Sequence, residues 1–294
     1  LSLPEEYPLA PAAFTRDGRT MVALREDFAD EDRGAACMAT YVHVYRVDLA
    51  TGARTRMRRL RSASADAVRI NDAGTHGLVA ATNFEGIPHV HLFDLAAGQR
   101  LRVFPAAGAE FIGDERILVR PEEGRMRIVP VAGGRPITTL PDPREGHVFE
   151  VLTGGVDGEH FWLVERRDVE SRLLRARVVG RRVRLERAAW TFRGRALSMS
   201  RDGTHLATLG QSMQLIRIRN ATTGTVVARV SGQRYYTRAA LSDDGAEIAV
   251  ASLVPVSERE MRSAYLDPTA FQPATFEVLT LADGARHHVG PNPA

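Results

Sequence analysis

Met199-Ser200-Arg201-Asp202-Gly203 leads through Thr204-His205 into Leu206-Ala207-Thr208, and this stretch decides the architecture because the chain repeats it. Ala13-Phe14-Thr15-Arg16-Asp17-Gly18 runs into Thr20-Met21-Val22-Ala23-Leu24. Ile70-Asn71-Asp72-Ala73-Gly74 runs into Leu78-Val79-Ala80, and Leu241-Ser242-Asp243-Asp244-Gly245 into Ile248-Ala249-Val250. In each copy an apolar or small-residue strand ends in a turn whose glycine supplies the positive φ of a tight hairpin, and a second apolar strand follows. A second element is interleaved with the first. It is an alternating strand, a glycine turn and another strand, clearest at Val42–Asp48 with Thr51-Gly52, Val90–Asp94 with Ala97-Gly98, Leu215–Arg219 with Thr223-Gly224, and Phe276–Leu281 with Asp283-Gly284. Period-two alternation turns one face of a strand to a core. Weaker copies fill the middle, around Phe111-Ile112-Gly113 and Val156-Asp157-Gly158.

The unit is therefore four antiparallel strands, a to d, recurring at about 40 residues, which is the spacing of a propeller blade. No helical period of comparable strength appears. The predicted fold is all-β, a β-propeller of six four-stranded antiparallel blades at roughly 9–62, 63–104, 105–141, 145–188, 193–231 and 235–290, with seven blades as the alternative count. Radial closure suits such modules better than an open solenoid, because it hides their lateral faces. Residues 1–8 could add an outer strand to the last blade, although Pro4 and Pro8 make them a poor central strand.

The Asp-Gly hairpin, the alternating strand and the Thr-Gly turn together resemble the WD40-like family of bacterial β-propellers over nearly the whole chain. Strict WD40 repeats end strand c in Trp-Asp, whereas the nearest matches here are Phe93-Asp94 and Val47-Asp48, and the Gly-His opening is missing. The resemblance implies a non-catalytic interaction scaffold or ligand-sensing domain with another protein as partner. The alternative is a lactonase- or lyase-like propeller enzyme with a metal or acid/base site at the mouth of the axial channel.

Bulk composition narrows the field. At 294 residues and 44 % hydrophobic content the chain can bury a substantial core. No apolar run approaches the roughly 20 residues that span a bilayer, so no membrane insertion is expected. All 39 basic residues are Arg; a high-GC bacterial genome, in which Arg codons displace Lys codons, accounts for a lysine-free chain. The net charge of +3 is too small to mark a nucleic-acid binder. Cys37 is the only cysteine, which excludes an internal disulfide and a cysteine metal cage. A cytoplasmic location is expected, with an extracytoplasmic domain of a larger or processed protein as the alternative, since the chain opens at Leu1 rather than Met.

Function in a repeat fold is expected where the repeat is interrupted. Two b-to-c connections are far longer than the rest, 25–40 and 253–274. Both should lie on the same face, in the first and last blades, which become neighbours on closure. The first holds Asp27, Asp30, Glu31 and Asp32. The second reads as a short helix opened by a Ser257–Glu260 capping box, with Glu258, Arg259, Met261, Arg262 and Tyr265. These residues are the expected partner-binding set. The acidic run lacks the spacing of a Ca²⁺ loop, so no cofactor is expected, although Ca²⁺ or another divalent metal remains chemically possible there. Channel-lining candidates, from the d–a loops and the starts of the a strands, are Glu110, Arg195, Tyr235, Tyr236 and Arg238. For the enzyme alternative, His147 and Glu150 are the acid/base pair. Neither a phosphate loop, a Rossmann fingerprint nor a Gly-x-Ser-x-Gly elbow is present. The Arg-dense strands at 54–61 and 172–187 read as outer edges whose charge blocks edge-to-edge pairing.

Overall fold

Every sheet is a meander in which strands consecutive in sequence pair antiparallel. The computed structural model describes residues 12–15, 17–28, 39–62, 64–152, 159–232, 235–253, 275–282 and 286–288. The chain divides into two units, Leu1–Pro141 and Asp142–Ala294.

In the first unit, sheet 1 holds β1 (Ala12–Phe14), β2 (Thr20–Phe28), β3 (Ala39–Asp48) and β4 (Arg54–Leu60). Sheet 2 holds β5 (Ser64–Ile70), β6 (His76–Thr82), β7 (Pro88–Asp94) and β8 (Gln99–Pro105). Sheet 3 holds β9 (Gly108–Ile112), β10 (Arg116–Arg120), β11 (Arg127–Pro130) and β12 (Thr138–Thr139). In the second unit, sheet 4 holds β13 (Val148–Leu152), β14 (His160–Arg167), β15 (Glu170–Val179) and β16 (Arg182–Arg187), with β17 (Phe192–Arg193) added beside β15. Sheet 5 holds β18 (Arg195–Met199), β19 (His205–Leu209), β20 (Leu215–Asn220) and β21 (Val226–Ser231). Sheet 6 holds β22 (Tyr235–Leu241), β23 (Glu247–Leu253), β24 (Thr275–Thr280) and β25 (Arg286–His288).

Neighbouring sheets stack through apolar side chains. Val22, Leu24, Val42 and Val44 of sheet 1 meet Val68, Val79 and Phe93 of sheet 2. The opposite side of sheet 2, with Leu78, Val90, Leu92 and Phe104, meets Ile117, Val119 and Val129 of sheet 3. In the second unit Val164 and Leu173 pack on Met199 and Leu206, and Ile216 and Ile218 pack on Ile248 and Val250. Burying a side chain of this size contributes about 1.5–3 kcal/mol. Middle strands such as β6 and β19 are accordingly apolar almost throughout, as suits strands covered on both sides.

The repeated turn is built from one small circuit. Ser200 Oγ donates to Asp202 Oδ1 at 2.6 Å, and the same carboxylate oxygen accepts Thr204 N–H at 2.9 Å. Ser200 Oγ in turn accepts His205 N–H at 2.9 Å. Ser242 and Asp244 reproduce the circuit, as do Thr15 and Asp17. In sheet 2 Asn71 replaces hydroxyl and carboxylate together, its Oδ1 accepting both Thr75 and His76 N–H. These are the short side-chain alternatives to backbone pairing that make Ser, Thr, Asn and Asp turn residues.

The turn also touches the sheet before it. Gly245 has φ +70°, and a Cβ there would stand 2.5 Å from His205 Nδ1 of sheet 5. Asp202 N–H donates to Asp243 O at 3.0 Å, and Ala73 N–H to Asp114 Oδ1 at 2.7 Å, tying turn to turn.

His91 sits on the side of sheet 2 that faces sheet 1, opposite Val79 and beside Phe93, with Nδ1 buried and without a hydrogen-bond partner. Burial first, then the charges of Arg100 and His89, lower its pKa from 6.5 to about 4. Its neutral ring is the form that packs.

Two outcomes follow from this packing. Gly18→Ala, at φ +66° with no atom within 4 Å of the new methyl, carries only the backbone strain of about 1–2 kcal/mol. Gly245→Ala adds a clash with His205 worth about a further 1–3 kcal/mol, and urea denaturation of the two variants measures the difference. Between pH 6.5 and about 4 the unfolded chain binds a proton at His91 that the native state refuses, so stability falls as pH falls through that window. His91→Leu removes that part of the slope, read from urea midpoints at neutral and acidic pH.

Candidate functional site

Among the described residues an ion pair between the first strands of sheets 2 and 3 links the two sheets. Glu110 of β9 accepts from Arg69 Nε of β5 at 2.8 and 3.0 Å, while Arg69 Nη1 donates to Val68 O at 2.9 Å. The Glu110 side chain is 18 % exposed. Burial pushes its carboxyl above the usual carboxylate range; the charge and hydrogen bond of Arg69 and the charge of Arg120 pull the other way. Arg69 was not among the residues singled out from sequence, although an Arg inside the apolar run Val68-Arg69-Ile70 is itself a signal.

The other expected channel residues do not share this surrounding. Arg195 is exposed at the first position of β18, opposite Leu209. Tyr236 is 2 % exposed and lies in the core between sheets 5 and 6, its N–H donating to Met213 O at 2.8 Å. A bulge between Tyr236 and Arg238 changes the facing of β22, which leaves Arg238 exposed and Tyr235 half-buried.

His147 and Glu150 are not brought together. Glu150 pairs with Arg166 at 3.0 Å on one face of sheet 4. His147 Nδ1–H donates to Glu145 O at 3.0 Å and the ring sits near Glu165 on the other face. Glu165, 3 % exposed, is gripped by Arg187 through Nε at 3.2 Å and an Nη2 contact at 3.1 Å. Burial opposes its ionisation, but the Arg187 fork, with Arg144 and His147 behind it, holds the carboxyl below its ordinary range. Among the described residues no group of three His, Cys, Asp or Glu side chains is placed to hold a metal ion.

Of the partner-binding set, Asp27 lies in β2 opposite Tyr41, so the strand continues to Phe28 where the connection was expected to begin at 25. Asp30, Glu31, Asp32, Glu258, Arg259, Met261, Arg262 and Tyr265 lie outside the described residues. The Arg-dense β4 is an outer strand, as expected. Cations on and just beyond it find aromatic rings: Arg59 lies 4.1 Å above Tyr41 of β3, and Arg61 lies 5.8 Å from the ring of Phe84 in the turn between β6 and β7.

The two edges of the sheets differ in character. On the edge of the a–b and c–d turns, polar groups are used within the chain. Hydrogen bonds from Thr15 and the Arg19 amide hold Asp17 below its usual range, and those from the Ala246 amide and Ser242 do the same for Asp244. Asp48 and Asn220 accept the amides of their own c–d turns. The b–c edge carries the exposed apolar side chains Phe84 and Ile87 at 42 %, Val169 and Met213 at 47 %, and Val148 at 51 %, while on the other edge Phe14 beside the a–b turn of sheet 1 and Val179 beside the c–d turn of sheet 4 are exposed. Two of the clefts among the described residues lie near these turns. One of about 500 Å³ lies between the a–b turns of sheets 1 and 2, lined by Thr15, Asp17 and Asp72 among others. The other, of about 200 Å³, lies beside the b–c turn of sheet 5 and is lined by Arg193, Ser212 and Arg217 among others.

No known family profile matches the sequence, and no curated protein matches it. Solved structures do match the fold. The Cps50 (Swd1) β-propeller domain of Myceliophteria thermophila is 16 % identical with a TM-score of 0.64, over 97 % of this chain and 86 % of that one. A chain of the mitotic checkpoint complex is 14 % identical with a TM-score of 0.61, over 96 % and 76 %. The C-terminal WD40 domain of Sif2 is 16 % identical with a TM-score of 0.54, over 93 % and 67 %. The fold is that of a WD40-like β-propeller. Among the described residues no helix is long and apolar enough to cross a membrane.

Arg69→Met leaves Glu110 buried without its cation, and should cost about 1–2 kcal/mol at neutral pH in urea denaturation. The loss should shrink as the pH drops and the Glu110 carboxyl takes up its proton. Arg69→Met with Glu110→Gln should recover most of it at neutral pH.

Proposed function

We propose that the protein is a non-catalytic scaffold that binds another protein through the b–c edges of its sheets. The observation that carries this reading is the exposed apolar set Phe84, Ile87, Val148, Val169 and Met213 on that edge, against the hydrogen-bonded polar turns of the other. Isolated exposed apolar residues are ordinary, but among the described residues the b–c edges carry five of them against Phe14 and Val179 on the a–b and c–d edges, an excess that supports a contact surface. Arg61 over Phe84 adds a cation beside an aromatic ring, the pairing that interfaces favour. The connections joining β2 to β3 and β23 to β24 are b–c connections too, so the partner-binding residues expected from sequence in 25–40 and 253–274 belong to the same kind of edge. The likeness to a chain of the mitotic checkpoint complex supports an assembly role. The lysine-free composition supports a high-GC bacterial source and the single cysteine a cytoplasmic one.

The test is affinity capture with quantitative mass spectrometry, using wild type, Phe84→Glu with Ile87→Glu, and Val103→Glu with Val227→Glu on outer strands. A stoichiometric partner should fall at least about tenfold with the b–c variant and stay with the outer-strand variant, as expected when a buried apolar anchor is lost. Equal retention by both variants contradicts the reading.

A further inference from the structure

The cleft between sheets 4 and 5 is lined by two cations, Arg193 and Arg217, and Glu170 of β15 stands opposite Arg193 in the strand register. Arg217 of β20 stands directly opposite Arg229 of β21, and Arg219 follows two residues later on the same face. Like charges opposite each other across a strand pair are unfavourable. Arg219 donates to Thr208 Oγ1 at 3.4 Å and to Gly224 O at 2.9 Å, and its guanidinium is held below its ordinary range first by burial and then by the charge of Arg217. Arg193 enters the cleft from β17, whose place is fixed by backbone pairing with Glu170 and Ser171, by Gly194 N–H donating to Val169 O at 3.1 Å, and by Ser171 Oγ donating to Gly194 O at 3.0 Å. Among the described residues no ion pair joins Arg193 or Arg217 to an acid.

The remaining wall suits a charged guest. Gly210 gives Arg217 its room, since a Cβ at 210 would stand 3.3 Å from Nη1. Gln211 and Ser212, both exposed, put an amide and a hydroxyl at the rim. A cleft of about 200 Å³ holds a phosphate with several waters, at about 30 Å³ for each water. Arg is the side chain whose planar fork fits phosphate and carboxylate oxygens, and both Arg residues here stand on paired strands rather than on loops.

We propose that this cleft binds a compact oxyanion, the phosphate or carboxylate group of a ligand, between Arg193 and Arg217. The anion relieves the repulsion between Arg217, Arg219 and Arg229, so occupancy stabilises the fold by mass action. The cleft lies beside the b–c turn of sheet 5, but its occupancy is measured without any protein partner. Failure here therefore leaves the scaffold reading untouched.

Thermal unfolding and isothermal titration at constant ionic strength, balanced with sodium chloride, test it with two probes, inorganic phosphate and a tri-aspartate peptide. At least one probe should raise Tm saturably, and Arg193→Gln or Arg217→Gln should weaken that probe at least about tenfold, the loss expected for a charged hydrogen-bond partner. The stronger probe identifies the source, phosphoryl or carboxylate. Arg217→Gln should unfold without ligand no earlier than wild type, because it removes a like-charge pair. Arg193→Gln, at an exposed position, gives the second measure. If neither probe gives a saturable shift, or both Arg variants respond as wild type does, the proposal is overturned.

Discussion

A four-stranded sheet that is apolar on both faces cannot stand alone, and that constraint governs the whole molecule. Leu78 and Val79 are adjacent in β6, so they point to opposite faces, yet each is essentially inaccessible. Leu92 and Phe93 of β7 do the same. Sheet 2 must therefore have a sheet on each side, and sheets 1 and 3 supply them. Stacking of this kind makes spacing as important as hydrophobicity, because close-packed interiors tolerate neither gaps nor overlap. The repeated turn helps set that spacing. Gly203 lies against the Trp162 ring of sheet 4, and Gly245 against His205 of sheet 5. The glycine that lets the chain reverse is thus also the point where one sheet touches the next.

That double role divides the labour between the two edges. Where the turns dock on neighbours, their hydroxyls, carboxylates and amides are engaged with one another, and little polar capacity is left for a guest. The b–c turns dock through backbone carbonyls, Met213 O accepting from Tyr236 N–H and Val169 O from Gly194 N–H. They vary in length and composition, and they present Phe84, Ile87, Val169 and Met213 to solvent. A surface that contributes little to stability is free to be shaped by binding, which is why loops on a rigid scaffold carry function. The cationic cleft of sheets 4 and 5 opens beside the same kind of turn, where an anion can reach it.

Much of the fold was legible because its determinants are local. Alternation, Asp-Gly and Thr-Gly turns, and apolar middle strands all operate within a dozen residues, and they marked the strands and hairpins in order. What escaped depends on register or on stacking. The bulge between Tyr236 and Arg238 moves Tyr236 into the core, and no local pattern announces a bulge. Arg25 to Phe28 look like the start of a long connection by their charge, yet they continue β2 because Tyr41 to His43 extend the partner strand. Arg69 and Glu110 are 41 residues apart and meet only once sheets 2 and 3 are stacked. The same holds for Arg193 of sheet 4 and Arg217 of sheet 5, which line one cleft only once those sheets are stacked. Candidate sites in a repeat protein arise between repeats, so reading each repeat alone finds the scaffold before the site.

The central claim is that the b–c edges are the binding surface and the repeated turns the framework. Hydrogen exchange of the free protein and of its complex with the captured partner tests this most directly. The account predicts added protection at 83–87, 168–169 and 210–214, with 17–20, 48–52 and 94–98 unchanged. Protection confined to the Asp-Gly and Thr-Gly turns, with the b–c turns exchanging as in the free protein, would contradict it.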